Sequence, residues 1–240
     1  MRRRTEGVLI GDDVLADAAG VPHEVDDVIA ALEPIATEAR RARIHGVLSA
    51  RLEAVTIVAD AIHDPHNGAA LVRTCDAFGV QTLHVVERTE PIAISPAVSR
   101  GSQKWVDVVR HAGPEGCIAA LRASGHELVA THPEGELVPE DLAHVPRLAL
   151  LLGNERDGIA PDLRAVAARS VRVPMVGFVE SLNVSVTAAI LVHAATLGRA
   201  GDLPKARRKA LYARALWLSV AHPRDTMEVW RKQRAGSQGS

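Results

Sequence analysis

Apolar and polar positions follow two rhythms along residues 37–200, and the changes of rhythm mark the elements. Residues 37–53 place Ile44, Val47, Leu48 and Leu52 at helical spacing behind Thr37, an N-cap residue, so they predict an amphipathic helix with basic first turns. Strand-like runs follow at 55–62, 82–86, 106–109, 128–131, 148–152 and 171–173. Helical patterns lie between them at 69–78, 115–123, 161–168 (opened by Pro161) and 184–197. The run Leu148-Ala149-Leu150-Leu151-Leu152 is apolar at every position rather than every second one, as burial of both faces of a sheet requires. The predicted class is α/β, a parallel sheet with helices on both faces.

The expected organisation is an acidic N-terminal extension at 1–36, a basic helix at 37–54, the α/β domain at 55–200 and a basic helical extension at 201–240. Within the last segment Ala210, Leu211, Ala215, Leu216 and Leu218 keep helical spacing, and residues 234–240, rich in Gly, Ser and Gln, are expected to fray.

The net charge of −1 conceals an uneven distribution. Residues 6–33 carry Glu6, Asp12, Asp13, Asp17, Glu24, Asp26, Asp27 and Glu33 with no lysine or arginine. Arg40, Arg41 and Arg43, and the tail from Lys205 through Arg207, Arg208 and Lys209 to Arg234, are basic. Such patches suit a polyanion, and they equally suit solvated helix faces. The two cysteines, Cys75 and Cys117, and the absence of paired histidines at ligand spacing indicate neither a disulfide framework nor a metal site. No stretch approaches a membrane span, and the basic start is followed by acids rather than an apolar run, so an untargeted cytoplasmic protein with no membrane partner is expected.

Ligands of open parallel sheets sit where strands end, and three loops after strands hold candidate chemistry. The first, His63-Asp64-Pro65-His66-Asn67-Gly68, has no G-x-G-x-x-G and enters a helix carrying Arg73. Asn67 and Arg73 could face one substrate, the arginine holding phosphate; alternatively Asn67 caps the helix and Arg73 pairs with Asp76 or Glu53. The second, Gly153-Asn154-Glu155-Arg156-Asp157-Gly158, imitates a phosphate loop, but Ile159 stands where its lysine is required. In the third, Ser181 and Asn183 both precede an apolar helix; one cap explains one of them, and no G-x-S-x-G surrounds the serine.

Taken in order, Asn67-Gly68 with Arg73, Leu152-Gly153-Asn154-Glu155 with Gly158-Ile159, and Val173-Pro174-Met175 with Ser181-Leu182-Asn183-Val184-Ser185 resemble the three motifs of the SpoU family of RNA ribose methyltransferases, in the SPOUT superfamily. Thr37-Glu38-Ala39-Arg40-Arg41 and Gly101-Ser102-Gln103-Lys104-Trp105 add a likeness to its branch of tRNA guanosine 2′-O-methyltransferases. The resemblance spans about residues 37–230 and leaves 1–36 outside. It implies a C-terminal trefoil knot, which no sequence pattern would indicate and which topological priors disfavour. It further implies a homodimer that completes the site, and S-adenosyl-L-methionine held at Thr131, Gly153, Val173 and Leu182, largely through main-chain groups. Catalytic or substrate positions map to Asn67, Arg73, Glu155, Ser181 and Asn183. The partner implied is RNA, foremost tRNA methylated at guanosine 18 of the D-loop, gripped by Arg40, Arg41, Arg43, Lys104, Lys205, Arg207 and Arg208. Methylation of rRNA or of another tRNA nucleotide, and a noncatalytic RNA-binding relative, stay open, because the motifs specify the reaction more than the substrate.

Overall fold

A computed structural model describes residues 8–10, 12–88, 101–154 and 156–238. The chain divides into two compact units, one of residues 52–201 and one gathering both ends of the chain, up to Arg51 and from Asp202 onward.

The larger unit is a six-stranded, wholly parallel sheet. Its strands are β4 (Val55–Asp60), β5 (Thr82–Val86), β6 (Asp107–His111), β7 (Glu127–Thr131), β8 (Leu148–Leu152) and β9 (Arg169–Val171), in the order β6-β5-β4-β8-β7-β9. Alternation sends Val55, Ile57 and Ala59 of β4, with Leu148, Leu150 and Leu152 of β8, to one face. There they meet Leu71, Val72 and Cys75 of α3 (Pro65–Ala77) and Ala188, Leu191, Val192 and Ala195 of α6 (Val184–Thr196). Val58, Ala149 and Leu151 point the other way, onto Cys117 and Leu121 of α4 (Pro114–Ala123) and Leu163 of α5 (Pro161–Arg164). The strands therefore need apolar residues on both sides, and the expected α/β class with helices on both faces holds.

Boundaries differ where a tertiary bond intervenes. The helix expected over 161–168 stops at Arg164, because the chain turns so that the amide of Ala168 donates to Leu128 O at 2.9 Å. The strand expected over 171–173 lies instead at Arg169–Val171; the amide of Arg172 donates to Leu137 O at 3.0 Å. Segment 132–137 runs close over this end, and a Cβ on Gly135 would stand 2.5 Å from the carbonyl carbon of Val171.

The smaller unit holds an antiparallel three-stranded sheet, β1 (Val8–Ile10), β2 (Val14–Ala16) and β3 (Pro22–Glu24), then α1 (Val25–Leu32) and α2 (Glu38–Ser49). α7 (Lys205–Ser219) and α8 (Pro223–Gln238) complete it, packing on α1 around Leu15, Val28, Leu32, Leu211, Leu216, Trp217 and Met227. Thr37 caps α2, its hydroxyl accepting from the amide of Arg40 at 3.3 Å. The charge asymmetry is resolved within this unit. Arg207 meets Asp12 at 3.1 Å, Lys209 meets Asp26 at 2.5 Å, Arg224 meets Asp17 at 2.9 Å and Arg234 meets Asp27 at 2.7 Å. Residues 234–238, expected to fray, are the last turn of α8.

Candidate active site

β8, β7 and β9 lie side by side, and the loops at their carboxyl ends wall a pocket of about 410 Å³. Thr131 at the end of β7, Gly153 after β8, and Val173 and Leu182 after β9 all line it. Thr131 is fixed by its hydroxyl, which donates to Leu151 O across the sheet at 3.1 Å. From Val173 to Leu182 the chain forms neither helix nor strand, so its peptide groups lie outside any ladder, and Val173, Met175, Glu180, Ser181 and Leu182, with Asn183 next along, face the cavity.

The loop after β8 is a tight turn. The amides of Asn154 and Gly158 each donate to the other's carbonyl, at 3.2 and 3.1 Å. Asn154 Oδ1 accepts from the amides of Arg156 and Asp157, both at 2.8 Å. A Cβ on Gly153 would stand 2.0 Å from the carbonyl carbon of Gly158 and 2.3 Å from the nitrogen of Ile159, and Gly158 has φ +68°. Close backbone approach and a left-handed turn therefore account for the two glycines whose spacing imitates a phosphate loop. Glu155, assigned a catalytic role from the sequence, lies outside the described residues.

An ion network anchored on one buried carboxylate braces this loop from the far face of the sheet. Asp60, 1% exposed at the end of β4, accepts from Arg88 Nε at 2.7 Å and from the amide of Ala160 at 2.9 Å. Arg88 also bonds Asp162 at 2.7 and 2.9 Å, which holds the Asp162 carboxyl below the usual carboxylate range and raises the guanidinium pKa. Sequence reading missed these residues; the signal available was a lone carboxylate ending an otherwise apolar strand.

At the start of α3 the cap is Asp64, whose carboxylate accepts from the amide of His66 at 2.8 Å, not Asn67. Asn67, buried, instead accepts at Oδ1 from Asn183 Nδ2 at 3.2 Å. Asn183 caps α6, its Oδ1 accepting from the amide and the hydroxyl of Ser185 at 2.8 and 2.6 Å. The first and third motifs meet through this amide pair at the pocket wall. Ser181 is exposed and caps nothing; it lines the pocket together with Asn154, Ile159, Glu180 and Thr187, none of which except Ser181 was selected from the sequence as a site residue. Arg73 is exposed on α3, and it is not among the residues that line the cavity.

The basic residues expected to hold RNA divide by partner. Arg40 and Arg43 of α2, Lys104 after the turn at Gly101, and Lys205 and Arg208 of α7 are exposed. Arg41 is paired with Glu38 and Arg207 with Asp12.

The model of the SpoU rRNA Methylase family matches residues 54–193. The tRNA (guanosine(18)-2′-O)-methyltransferase of Thermus thermophilus is 36% identical over 160 residues, 66% of this chain and 82% of its own. Among solved structures, the TrmH/SpoU tRNA modifying enzyme of A. aeolicus superposes with a TM-score of 0.61 at 29% identity, covering 82% of this chain and 97% of that one. The SpoU methyltransferase AviRb from Streptomyces viridochromogenes, in complex with AdoMet, gives a TM-score of 0.53 at 26% identity, covering 62% and 57%. The family model spans the whole sheet and all three motif loops, and the chain belongs to the SpoU rRNA methylase family.

Proposed function

We propose that the protein transfers the methyl group of S-adenosyl-L-methionine to a ribose 2′-hydroxyl of tRNA, at guanosine 18. The observation that carries this reading is the junction of the three motif loops at one pocket, with Asn183 reaching from the pocket wall to Asn67. Family membership and the named activity of the relatives support it.

The residues present fit the cofactor. A cavity of about 410 Å³ lies within the range of roughly 300–1,000 Å³ usual for small-molecule sites. Leu152, Ile159, Leu182 and Leu191 offer apolar wall to a nucleobase, and the unladdered peptide groups of 173–182 offer directional bonds. When bound, the cofactor supplies an electrophilic methyl group on a sulfonium. Thr131, Gly153, Val173 and Leu182 would hold it, with the Glu180 carboxylate at the wall complementing its positive charge.

The protein's remaining task is to align a weakly nucleophilic hydroxyl and favour loss of its proton. Arg73 grips the phosphate beside the target ribose and stabilises negative charge developing on the oxygen. A guanidinium that keeps its charge at neutral pH suits this electrostatic role better than that of a base. Asn183 and Asn67 fix the third loop against α3 and Ser181 faces the hydroxyl, while Glu155 keeps the catalytic role that the motif resemblance implies. Arg40 and Arg43, with Lys104, Lys205 and Arg208, contact the tRNA backbone; Arg41 and Arg207 contribute less, being paired.

The protein acts as a homodimer. Val176 and Phe178 are fully exposed and Val179 largely so, and α6 presents Val186 and Ile190 to solvent, an apolar surface that a second copy would cover. Arg73, outside its own pocket wall, would then serve the partner's pocket.

The test is methyl transfer from labelled cofactor to unmodified total tRNA and to rRNA, followed by mapping of the modified nucleotide. Product at guanosine 18 of tRNA is expected. Product on rRNA alone overturns the substrate, and product on neither RNA overturns the activity.

A further inference from the structure

Three side chains that play no part in the methyltransferase site converge on the sheet face that carries α4. His84 is on β5, His111 ends β6, and Cys117 is on α4. In the parallel β5–β6 register His84 sits opposite Val109 and His111 opposite Val86, so the two imidazoles are diagonal neighbours. Their rings stack at a centroid distance of 5.2 Å, with His84 Nδ1 2.9 Å from His111 Nε2. Cys117, from the helix that follows β6, brings its sulfur into the same space, and one atom of each residue lies within 4.8 Å of the others. His84 is 9% exposed, Cys117 is fully buried and His111 is half-buried. Among the described residues this is the one cluster of three histidine, cysteine or carboxylate ligands at such distances.

We propose that His84 Nδ1, His111 Nε2 and Cys117 Sγ form a binding site for one thiophilic d¹⁰ metal ion, zinc in the first place. A hydrogen bond between the two rings accounts for two of the groups but gives no part to the thiol. A metal ion uses all three: imidazole and thiolate together select zinc or copper(I) over hard cations. Zinc–nitrogen and zinc–sulfur bonds of about 2.1 and 2.3 Å set tetrahedral edges of roughly 3.3 Å between nitrogens and 3.6 Å from nitrogen to sulfur. Shifts on the order of 1 Å, shared among three side chains, reach that geometry and leave a fourth position for water. Binding releases one proton. The thiol of Cys117 gives up its hydrogen as the sulfur–metal bond forms, and the proton shared between the rings moves to a ring nitrogen facing away, so both imidazoles bind neutral. The ion would pin the edge strand β6 and the start of α4 to β5. Sequence spacing hides the site, since 27 residues separate the histidines and it is the parallel pairing of β5 and β6 that joins them.

The experiment uses the full chain, stripped with chelator and titrated with Zn²⁺ by calorimetry in two buffers of different ionisation enthalpy. Co²⁺ is titrated in parallel as an optical probe. The expected result is one equivalent per chain with net release of about one proton, and a thiolate-to-cobalt charge-transfer band in the near ultraviolet. At a hundredfold excess over Kd, zinc should raise the unfolding midpoint of the larger unit by roughly 5–10 °C. Cys117→Ser and His111→Gln should each lose that equivalent and the cobalt band while melting like the stripped wild type. Cys75→Ser, which removes the other thiol, should keep both. His111→Gln, at a half-buried position, guards against a folding defect in the cysteine variant. Absence of a stoichiometric equivalent in the wild type, or its retention in both Cys117→Ser and His111→Gln, overturns the site.

Discussion

Replacing Gly153 with alanine adds one methyl group at the tightest backbone crossing of the pocket. The new Cβ would stand 2.0 Å from the carbonyl carbon of Gly158, 2.3 Å from the nitrogen of Ile159 and 2.4 Å from the oxygen of Gly158. All three are main-chain atoms, so no flexible side chain can swing away. Reaching even 3.0 Å needs a displacement of about 1 Å between two segments joined by the paired hydrogen bonds of Asn154 and Gly158. Overpacking of this kind costs about 1–3 kcal/mol, and loss of one or both backbone bonds adds about 1 kcal/mol each. For a unit of this size, roughly 2–4 °C per kcal/mol places the fall in Tm at about 4–20 °C. The same displacement moves the wall that would hold the cofactor, so its affinity should fall together with the Tm. Gly177→Ala supplies the comparison, because its Cβ would meet nothing within 4 Å. Calorimetric titration with the cofactor, alongside thermal melts, reads both effects. Wild-type affinity and Tm in Gly153→Ala would refute the close-crossing account of the pocket.

Arg73→Ala should abolish methyl transfer while changing cofactor affinity less than about threefold, since Arg73 does not line the cavity; turnover near wild type removes the arginine from the reaction. In RNA binding across a salt series, Arg40→Ala should flatten the slope of log K against log salt by about one, whereas Arg207→Ala, whose charge is already met by Asp12, should flatten it less; equal effects would show that the ion pair does not matter. The smaller unit should lose stability on acidification. Burial, and then Arg231, hold His23 below its ordinary pKa of 6.5. Burial raises the Asp17 pKa, but bonds from the amides of Val21 and Ala19, with Arg224 and His23, outweigh it and bring the carboxyl below its ordinary value of 3.8. In both cases the unfolded chain takes up the proton first, so stability is full above about pH 6.5 and falls as pH drops, through His23 first and Asp17 afterwards. Denaturant midpoints measured from pH 8 downward check this, and His23→Asn should remove the loss that begins just below pH 6.5; a midpoint that does not change on acidification sinks it.

What the sequence made legible follows from how local each cause is. β4 and β8 could be read because a strand buried on both faces must be apolar throughout, and α2 because Thr37 and its apolar spacing lie within a few turns. The three-residue strands β1 to β3 are too short to show a period. Most of α8 is polar, and its placement depends on Asp17 and Asp27, about 200 residues away along the chain. At the site, Gly153, Val173 and Leu182 were legible through their motifs, whereas the choice between caps at α3 was not. Asp64 and Asn67 both suit an N-cap, and only the approach of Asn183, 116 residues later, gives the amide its other use. Asp60 ends its strand as a conspicuous carboxylate, but its tie to Arg88 and to the loop was hidden for the same reason, since β4 meets the loop at Ala160 only after the sheet has formed. The acidic and basic segments were read as separate charges when each is largely the other's partner.

The central claim is transfer to one ribose hydroxyl of tRNA. Its most direct test is a single-turnover assay with labelled S-adenosylmethionine on two otherwise identical tRNAs, one with guanosine and one with 2′-deoxyguanosine at position 18. The account predicts close to one methyl group per tRNA on the first and none on the second. Equal incorporation into both would contradict it.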